Sequence, residues 1–242
     1  PLGFCHAWQN PNGKQSFIKS CNEFIIGGAM VWITNFFGSS IGKKLLMAFT
    51  GLCFISFLSV HLAGNLTLYG GKDMFNSYAE HLHSLGPIIL FAEWGLILLA
   101  AVHILTGSIL FFQNLLARPN RYKMNKQAGG RTLSSITMPY TGFIILLFVI
   151  FHLLNFHFID KTHTTIYEIV SEAFQSPIYI FFYIAAMVVV ALHIRHGFWS
   201  LFQTLGANHP KYMAIVMAAS IVLSLIFGLG FGFLPIYMSF SG

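Results

Sequence analysis

Five apolar runs, each long enough to cross a membrane, constrain the fold of this chain more than any other feature. A helix needs about 20 apolar residues to cross the hydrocarbon of a bilayer. The runs cover residues 45–69, 87–116, 138–158, 177–205 and 213–238. Pro87 and Pro177 fall in first helical turns, where proline is tolerated. The sequence therefore predicts an all-α integral membrane protein with five transmembrane helices.

The composition supports this class. Only 8% of the 242 residues are charged and 56% are hydrophobic, whereas a soluble domain carries roughly 25% charged residues. A net charge of +6 raises the question of nucleic-acid binding. Because the basic residues lie between apolar runs, they favour a membrane explanation and exclude a nucleic-acid partner.

The chain divides into two predicted parts. Residues 1–40 form an N-terminal cytoplasmic or interfacial segment, in which the apolar stretch 24–38 is interpreted as an interfacial helix rather than a secretory signal. Residues 41–242 form the membrane domain. Cys5, Cys21 and Cys53 show no CxxC or CxxCH spacing, which excludes covalent c-type haem attachment and gives no sign of a zinc or iron–sulphur site.

Charges between the runs predict the orientation. One side carries almost all the cations: Lys14, Lys19, Lys43, Lys44, Arg118, Arg121, Lys123, Lys126, Arg131 and Lys211. The other side has Lys72 and Lys161 beside five carboxylates: Asp73, Glu80, Asp160, Glu168 and Glu172. The positive-inside rule then places the N-terminus and the 118–135 loop in the cytoplasm and the C-terminus outside.

Each of the first four runs contains one histidine well inside it: His61, His103, His152 and His193. Ionisable residues within a span are costly and mark functional sites by default. A single histidine on an apolar helix is more often a hydrogen-bonded structural group than a ligand. Four of them would each need a buried partner, and Glu93 is the only clear acidic one in the spans.

Depth sorts these histidines into two pairs. His61 and His152 lie late in outward-running spans, and His103 and His193 lie past the middle of inward-running spans. Two histidines at each of two levels are what two stacked bis-histidine b haems require. We therefore predict that His61 and His152 bind the outer haem iron, and that His103 and His193 bind the inner one.

Glycines accompany three of the histidines. Gly64, Gly107 and Gly197 each lie about one turn after a histidine, where a missing side chain lets a flat macrocycle approach the helix. Close helix packing through small residues is the alternative explanation. His196 is a rival to His193, and together with Arg195 it is a candidate for contact with haem propionates or the inner headgroup boundary.

Four segments carry a family resemblance: Phe57-Leu-Ser-Val-His61-Leu-Ala-Gly-Asn65, Ala101-Val-His103-Ile-Leu-Thr-Gly107, Phe148-Val-Ile-Phe-His152 and His193-Ile-Arg-His-Gly197-Phe-Trp-Ser200. As a set they resemble the dihaem cytochrome b558 membrane anchor of succinate dehydrogenases and quinol:fumarate reductases, over about residues 40–240. The resemblance implies two b haems, menaquinone chemistry and a bacterial inner membrane. It also implies that an iron–sulphur subunit and a flavoprotein subunit dock on the cytoplasmic face. The histidine pairing in this family is the one that depth gives.

The resemblance also indicates a quinol site. Related fumarate reductases place an essential carboxylate in the outer connection after the first span, and Glu80, flanked by His81 and His83, is the nearest position here. A carboxylate there suits the uptake of protons from a quinol, although a solvated loop glutamate is an equal alternative. Some members carry a glutamate two residues before the fourth-span histidine. Ala191 stands there, which puts a transmembrane proton route in doubt unless Glu93 or a water chain substitutes for that glutamate.

The predicted function is thus electron transfer between menaquinone and an iron–sulphur subunit, as the membrane subunit of a fumarate reductase or succinate dehydrogenase. The basic 118–135 loop is the candidate docking site, and binding of anionic headgroups is its alternative role. Two other functions stay open: a cytochrome b subunit of another respiratory enzyme, and a transporter whose histidines bind a metal or relay protons.

Overall fold

The computed structural model describes residues 31–32, 34–117, 133–207 and 209–241. The chain separates into two compact units, Pro1–Lys44 and Leu45–Gly242, and the candidate site belongs to the second. The predicted interfacial helix at 24–38 lies mainly outside the described residues, although 34–38 are helical. Cys5, Cys21 and most of the basic 118–135 loop also lie outside them.

Within the described ranges the chain forms helices and turns without a strand. The helices are α1 (Ser40–Leu66), α2 (Lys72–Ser84), α3 (Pro87–Leu116), α4 (Leu133–His152), α5 (Ile166–Ala173), α6 (Pro177–Thr204) and α7 (Pro210–Ser241). A 3-10 turn, Thr67–Gly70, extends α1, and a π-helical turn, Leu153–His157, extends α4. Five of the helices, α1, α3, α4, α6 and α7, are long and apolar enough to span a membrane. Within the described residues, the predicted all-α class and the five helices long and apolar enough to cross a membrane are therefore confirmed.

Large apolar side chains cover the outside of these five helices. Phe91 on α3 is 79% exposed, Phe181 on α6 is 75% exposed and Phe240 on α7 is 86% exposed. A soluble protein does not leave so much contiguous apolar surface in water. Hydrocarbon is the solvent that such a surface requires.

The closest helix packing joins α6 to α7. Tyr183, Met187 and Val190 on α6 are buried in one apolar cluster with Phe227 and Leu234 on α7. A Cβ atom added at Gly228 would lie 3.0 Å from the Cβ atom of Ala191, so the small residues allow close approach of the two helices.

The connections after α1 and α4 are held together on one side of the protein. Gly71 and Gly86 flank α2 with φ values of 85° and 53°, a backbone region that favours glycine. The Lys72 ammonium donates to the Glu168 carboxylate at 2.7 Å, and the Tyr167 backbone N–H of α5 donates to Asn76 Oδ1 at 3.2 Å. Thr165 and Glu168 complete a capping box at the start of α5.

We predict that this contact between α2 and α5 weakens in acid. The hydrogen bond from Lys72, followed by those from Thr165, lowers the pKa of Glu168 to about 2 from an ordinary value of 4.5. A carboxylate with a lowered pKa stabilises the folded state above its ordinary pKa, and this stabilisation is lost as the pH falls towards about 2. Glu168→Gln removes the charge at all pH values, so amide hydrogen exchange at 166–173 should be faster than in the wild type at pH 7. Glu172→Gln on the same helix, which breaks no ion pair among the described residues, should leave exchange unchanged, and equal exchange in both variants would contradict the prediction.

Candidate functional site

The structure places the four intramembrane histidines on four different helices and brings them together in pairs. His61 on α1 and His152 at the end of α4 have ring centroids 6.0 Å apart. His103 on α3 and His193 on α6 are close enough to interact electrostatically. All four side chains are half-buried.

The separation of His61 and His152 fits two imidazoles that share one metal ion. A metal–nitrogen distance of about 2 Å on each side, with each ring centre about 1 Å behind its nitrogen, places the two ring centres about 6 Å apart. Among the described residues, no three His, Cys, Asp or Glu side chains come together as a metal site. Two protein ligands are too few for a structural zinc ion. They are the number that a haem iron takes from a protein when both axial positions are filled.

Hydroxyl groups contact the Nδ1 atoms of three of these histidines. Thr50 Oγ1 lies 2.8 Å from His103 Nδ1, and Thr141 Oγ1 lies 3.0 Å from His193 Nδ1. The Tyr183 hydroxyl lies 3.3 Å from His152 Nδ1. A partner on one ring nitrogen determines which nitrogen is left for a metal.

The hydrogen-bonding capacity of each threonine hydroxyl indicates the direction of these bonds. The Thr50 hydroxyl has one hydrogen to donate. Its oxygen, Oγ1, lies 2.9 Å from the Leu46 carbonyl oxygen and 3.1 Å from the Met47 carbonyl oxygen. Carbonyl oxygens only accept hydrogen bonds, so we assign the hydroxyl hydrogen to one of them and the His103 Nδ1–H as donor to the hydroxyl oxygen. Thr141 has the same arrangement with the carbonyl oxygens of Thr137 and Met138. The Nε2 lone pairs of His103 and His193 are therefore available for a metal.

These contacts belong to an internal repeat. Met47-Ala-Phe-Thr50-Gly51 on α1 corresponds to Met138-Pro-Tyr-Thr141-Gly142 on α4, and His61 and His152 follow at equal spacing. The contacts repeat as well. A Cβ atom added at Gly51 would lie 3.6 Å from His103 Cε1, and one at Gly142 would lie 3.4 Å from His193 Cε1. The helix pairs α1–α3 and α4–α6 thus hold His103 and His193 in the same way. After the predicted orientation, His103 and His193 are called the inner pair and His61 and His152 the outer pair.

Aromatic rings surround the outer pair. Phe57 and Phe231 lie 5.3 and 5.6 Å from the His61 ring, centroid to centroid, and Phe148 and Phe156 lie 5.8 and 5.3 Å from the His152 ring. The π-helical turn begins directly after His152, and π turns are frequent at functional sites.

The glycines predicted to accommodate a macrocycle contact protein side chains. A Cβ atom at Gly64 would lie 2.5 Å from the Tyr78 hydroxyl oxygen, so this glycine makes room for α2. Added Cβ atoms at Gly107 and Gly197 would lie 3.5 Å from Met47 Sδ and 3.9 Å from Met138 Cε. These contacts favour the close-packing explanation.

His196 lies on α6 one turn after His193. Its Nδ1 atom is buried and has no hydrogen-bond partner among the described residues, and its ring packs edge-on against Trp199 at 5.7 Å. A buried polar nitrogen without a partner is costly. A haem propionate near the inner pair would give His196 Nδ1 the hydrogen-bond partner that it lacks among the described residues.

The residues predicted for quinol chemistry all lie on α2. Glu80, His81 and His83 are exposed, and the part of the outer connection that carries them is helical. His83 Nδ1 lies 2.7 Å from the Ala79 carbonyl oxygen. No described contact joins these three side chains to a paired histidine.

Thr50 and Thr141 were missed by the sequence analysis because threonine is ordinary in membrane helices, where its hydroxyl bonds to its own backbone. The repeated Met-x-x-Thr-Gly pattern ahead of His61 and His152 is the signal that identifies them. Comparisons with protein-family models, curated proteins and solved structures find no match to this chain.

Proposed function

We propose that this chain is a dihaem cytochrome b whose five transmembrane helices form a bundle around two stacked b haems. In this proposal it anchors a succinate:menaquinone oxidoreductase or menaquinol:fumarate reductase and transfers electrons between menaquinone and an iron–sulphur subunit. The observation that carries the proposal is the pairing of four intramembrane histidines, with a ring separation of 6.0 Å at His61 and His152.

The two pairs lie at different depths. On α1, Thr50 contacts the inner pair and His61 belongs to the outer pair. Eleven helical steps at about 1.5 Å each separate these two residues by about 16 Å along the axis. Ligands at two levels suit the passage of electrons across the membrane.

The side chains of the chain supply ligation, orientation and exclusion of water. His61, His152, His103 and His193 offer imidazole nitrogens, and Thr50 and Thr141 hold the inner rings in one tautomer. Bound b haems would supply one-electron redox chemistry at each level. The aromatic rings around His61 and His152 exclude water from the outer pair, which would tune the reduction potential of a haem bound there.

In this proposal protons are released at the outer surface, and the partner subunits dock at the cytoplasmic surface. Glu80 is exposed on the outer connection, so it can release to solvent a proton taken from menaquinol. The basic 118–135 loop is the proposed docking segment for the iron–sulphur subunit, to which the flavoprotein subunit binds. Succinate or fumarate chemistry belongs to that flavoprotein.

Two rivals make different predictions. A cytochrome b of another respiratory enzyme would have the same absorbance but would copurify with other subunits. A histidine-dependent transporter would be colourless when purified. Within the described spans Glu93 is the only acidic residue, which disfavours a carboxylate-dependent transport route.

We predict two b haems per purified chain. His61→Ala and His193→Ala should each remove one haem, because each removes one of the two imidazoles that would hold a haem, from a different pair. Pyridine haemochrome quantification measures the count. His163→Ala, which alters an exposed histidine outside the spans, is the control and should keep both haems. If both ligand variants kept two haems, the ligand assignment would be wrong.

The hydroxyl of Thr50 should tune the inner haem. Thr50→Val removes the acceptor of the His103 Nδ1–H, which makes the imidazole less basic and favours the reduced iron. The midpoint potential of the inner haem should rise by about 20–60 mV, the equivalent of about 0.5–1.5 kcal/mol. Redox titration of each haem measures this shift. Thr50→Ser keeps the hydroxyl and should restore the wild-type potential, whereas an equal rise in the serine variant would show that packing, not the hydrogen bond, is responsible.

Glu80→Gln should slow menaquinol oxidation about 100-fold, since general-base catalysis contributes at least this much. Turnover of a water-soluble menaquinol analogue measures the effect, and the haem content should stay at two. Asp73→Asn changes another exposed carboxylate on α2 and should retain wild-type turnover. Equal rates in Glu80→Gln and the wild type would remove Glu80 from the mechanism.

A further inference from the structure

An apolar groove of about 590 Å³ runs between α6 and α7 on the membrane-facing surface. Residues from both helices line it, among them Val188, Leu192, Arg195, Ser224, Gly228 and Gly232. At Gly228 the two helices approach closely, so the groove is a surface depression along their line of contact, open to the bilayer. Its contents must therefore be compatible with hydrocarbon.

Arg195 is the one cation that lines this groove. Residues 177–194 before it contain no Asp, Glu, Lys or Arg and span about 27 Å of helix, close to the thickness of the hydrocarbon. No described residue forms an ion pair with Arg195. A guanidinium at this depth needs an anionic partner or a route to the headgroups for its long side chain.

The groove and the histidine pairs are on different faces of α6. His193 contacts Thr141 on α4, whereas Arg195 shares the groove with residues of α7. Arg195 is therefore poorly placed to contact a propionate at the inner pair. Its charge is presented to lipid.

The length of the groove matches one leaflet. From Ile184 to Arg195 the lining of α6 extends about 17 Å along the axis. Half of a hydrocarbon core of about 30 Å is about 15 Å. A single lipid molecule would place its headgroup at Arg195 and its acyl chain along the apolar floor.

We propose that this groove is a specific site for one anionic phospholipid, whose phosphate is bound by Arg195 and whose acyl chain packs between Val188 and Gly232. The guanidinium matches phosphate geometry through paired hydrogen bonds. A neutral quinone headgroup would leave the charge of Arg195 without a counter-ion. The site lies at the side where the basic residues are concentrated, the leaflet in which anionic lipids meet positive-inside segments. The inference does not depend on the redox chemistry of the histidine pairs.

Native mass spectrometry of the purified full chain, extracted from bilayers of equal phosphatidylglycerol and phosphatidylcholine, tests the site. The wild type should retain one phosphatidylglycerol per chain in preference to phosphatidylcholine. Arg195→Gln should reduce this preference about tenfold. Lys211→Gln removes one charge on the same side, outside the groove, and should leave the preference intact. Val188→Phe keeps the charge but narrows the groove, and should also lose the bound lipid.

Three results would overturn the proposal. These are no preference for phosphatidylglycerol in the wild type, an equal loss of preference in Lys211→Gln and Arg195→Gln, and retention of a quinone in place of the phospholipid. Circular dichroism of each variant checks that the helices are intact. Haem content reports separately on the histidine pairs, so failure of the lipid site and failure of the proposed redox function give different results.

Discussion

The placement of imidazole groups inside apolar helices is the constraint on which the rest of this structure depends. Each ring carries two polar nitrogens into a medium that offers no water, and an unpartnered nitrogen there is costly. The structure meets the cost with groups from neighbouring helices: Thr50 for His103, Thr141 for His193 and Tyr183 for His152. Each partner comes from a helix other than that of its histidine, so these hydrogen bonds also connect pairs of helices. Such connections matter in a bilayer, because the hydrophobic effect does not drive helices together in lipid.

The internal repeat explains how one chain builds two similar halves. On the first helix of each pair a threonine hydroxyl contacts a histidine of the second helix: Thr50 with His103, and Thr141 with His193. Glycines and methionines leave room for this approach in both pairs: Gly51 faces His103 and Met47 faces Gly107, as Gly142 faces His193 and Met138 faces Gly197. The helix α7 has no counterpart in this scheme. It packs on α6 through small residues and contributes Phe231 to the surroundings of His61.

The sequence predicted the spans well because an apolar run of fixed length has one stable form in a bilayer. The helices extend beyond some predicted ends, as at Ser40 and Ser241, since backbone hydrogen bonding continues where hydropathy falls. Depth along each helix follows from a fixed rise per residue, so the sequence alone predicted that His61 and His152 lie at the same level, and the structure has them side by side. Haem ligation by this pair is still a prediction. The hydrogen-bond and packing partners of individual side chains were harder to predict from the sequence. Thr50 and Tyr78 act across helix boundaries, and a single helical pattern does not show which face of a neighbour lies opposite.

The two pairs differ in the groups around them, and this difference bears on electron flow. The inner pair is bounded by aliphatic alcohols that accept the Nδ1–H of both rings, an arrangement that raises the basicity of both imidazoles. At the outer pair, His152 Nδ1 lies 3.3 Å from the Tyr183 phenol oxygen, a longer distance, and His152 and Tyr183 belong to a cluster of aromatic rings. More basic ligands favour oxidised iron, so the proposed inner haem should have the lower potential of the two on this ground alone. Burial among apolar rings destabilises the charge of oxidised iron, which would raise the potential of the proposed outer haem further. Both effects would favour electrons at the outer level. Net electron flow towards the inner surface would therefore have to be driven by the potentials of the partners at the two surfaces.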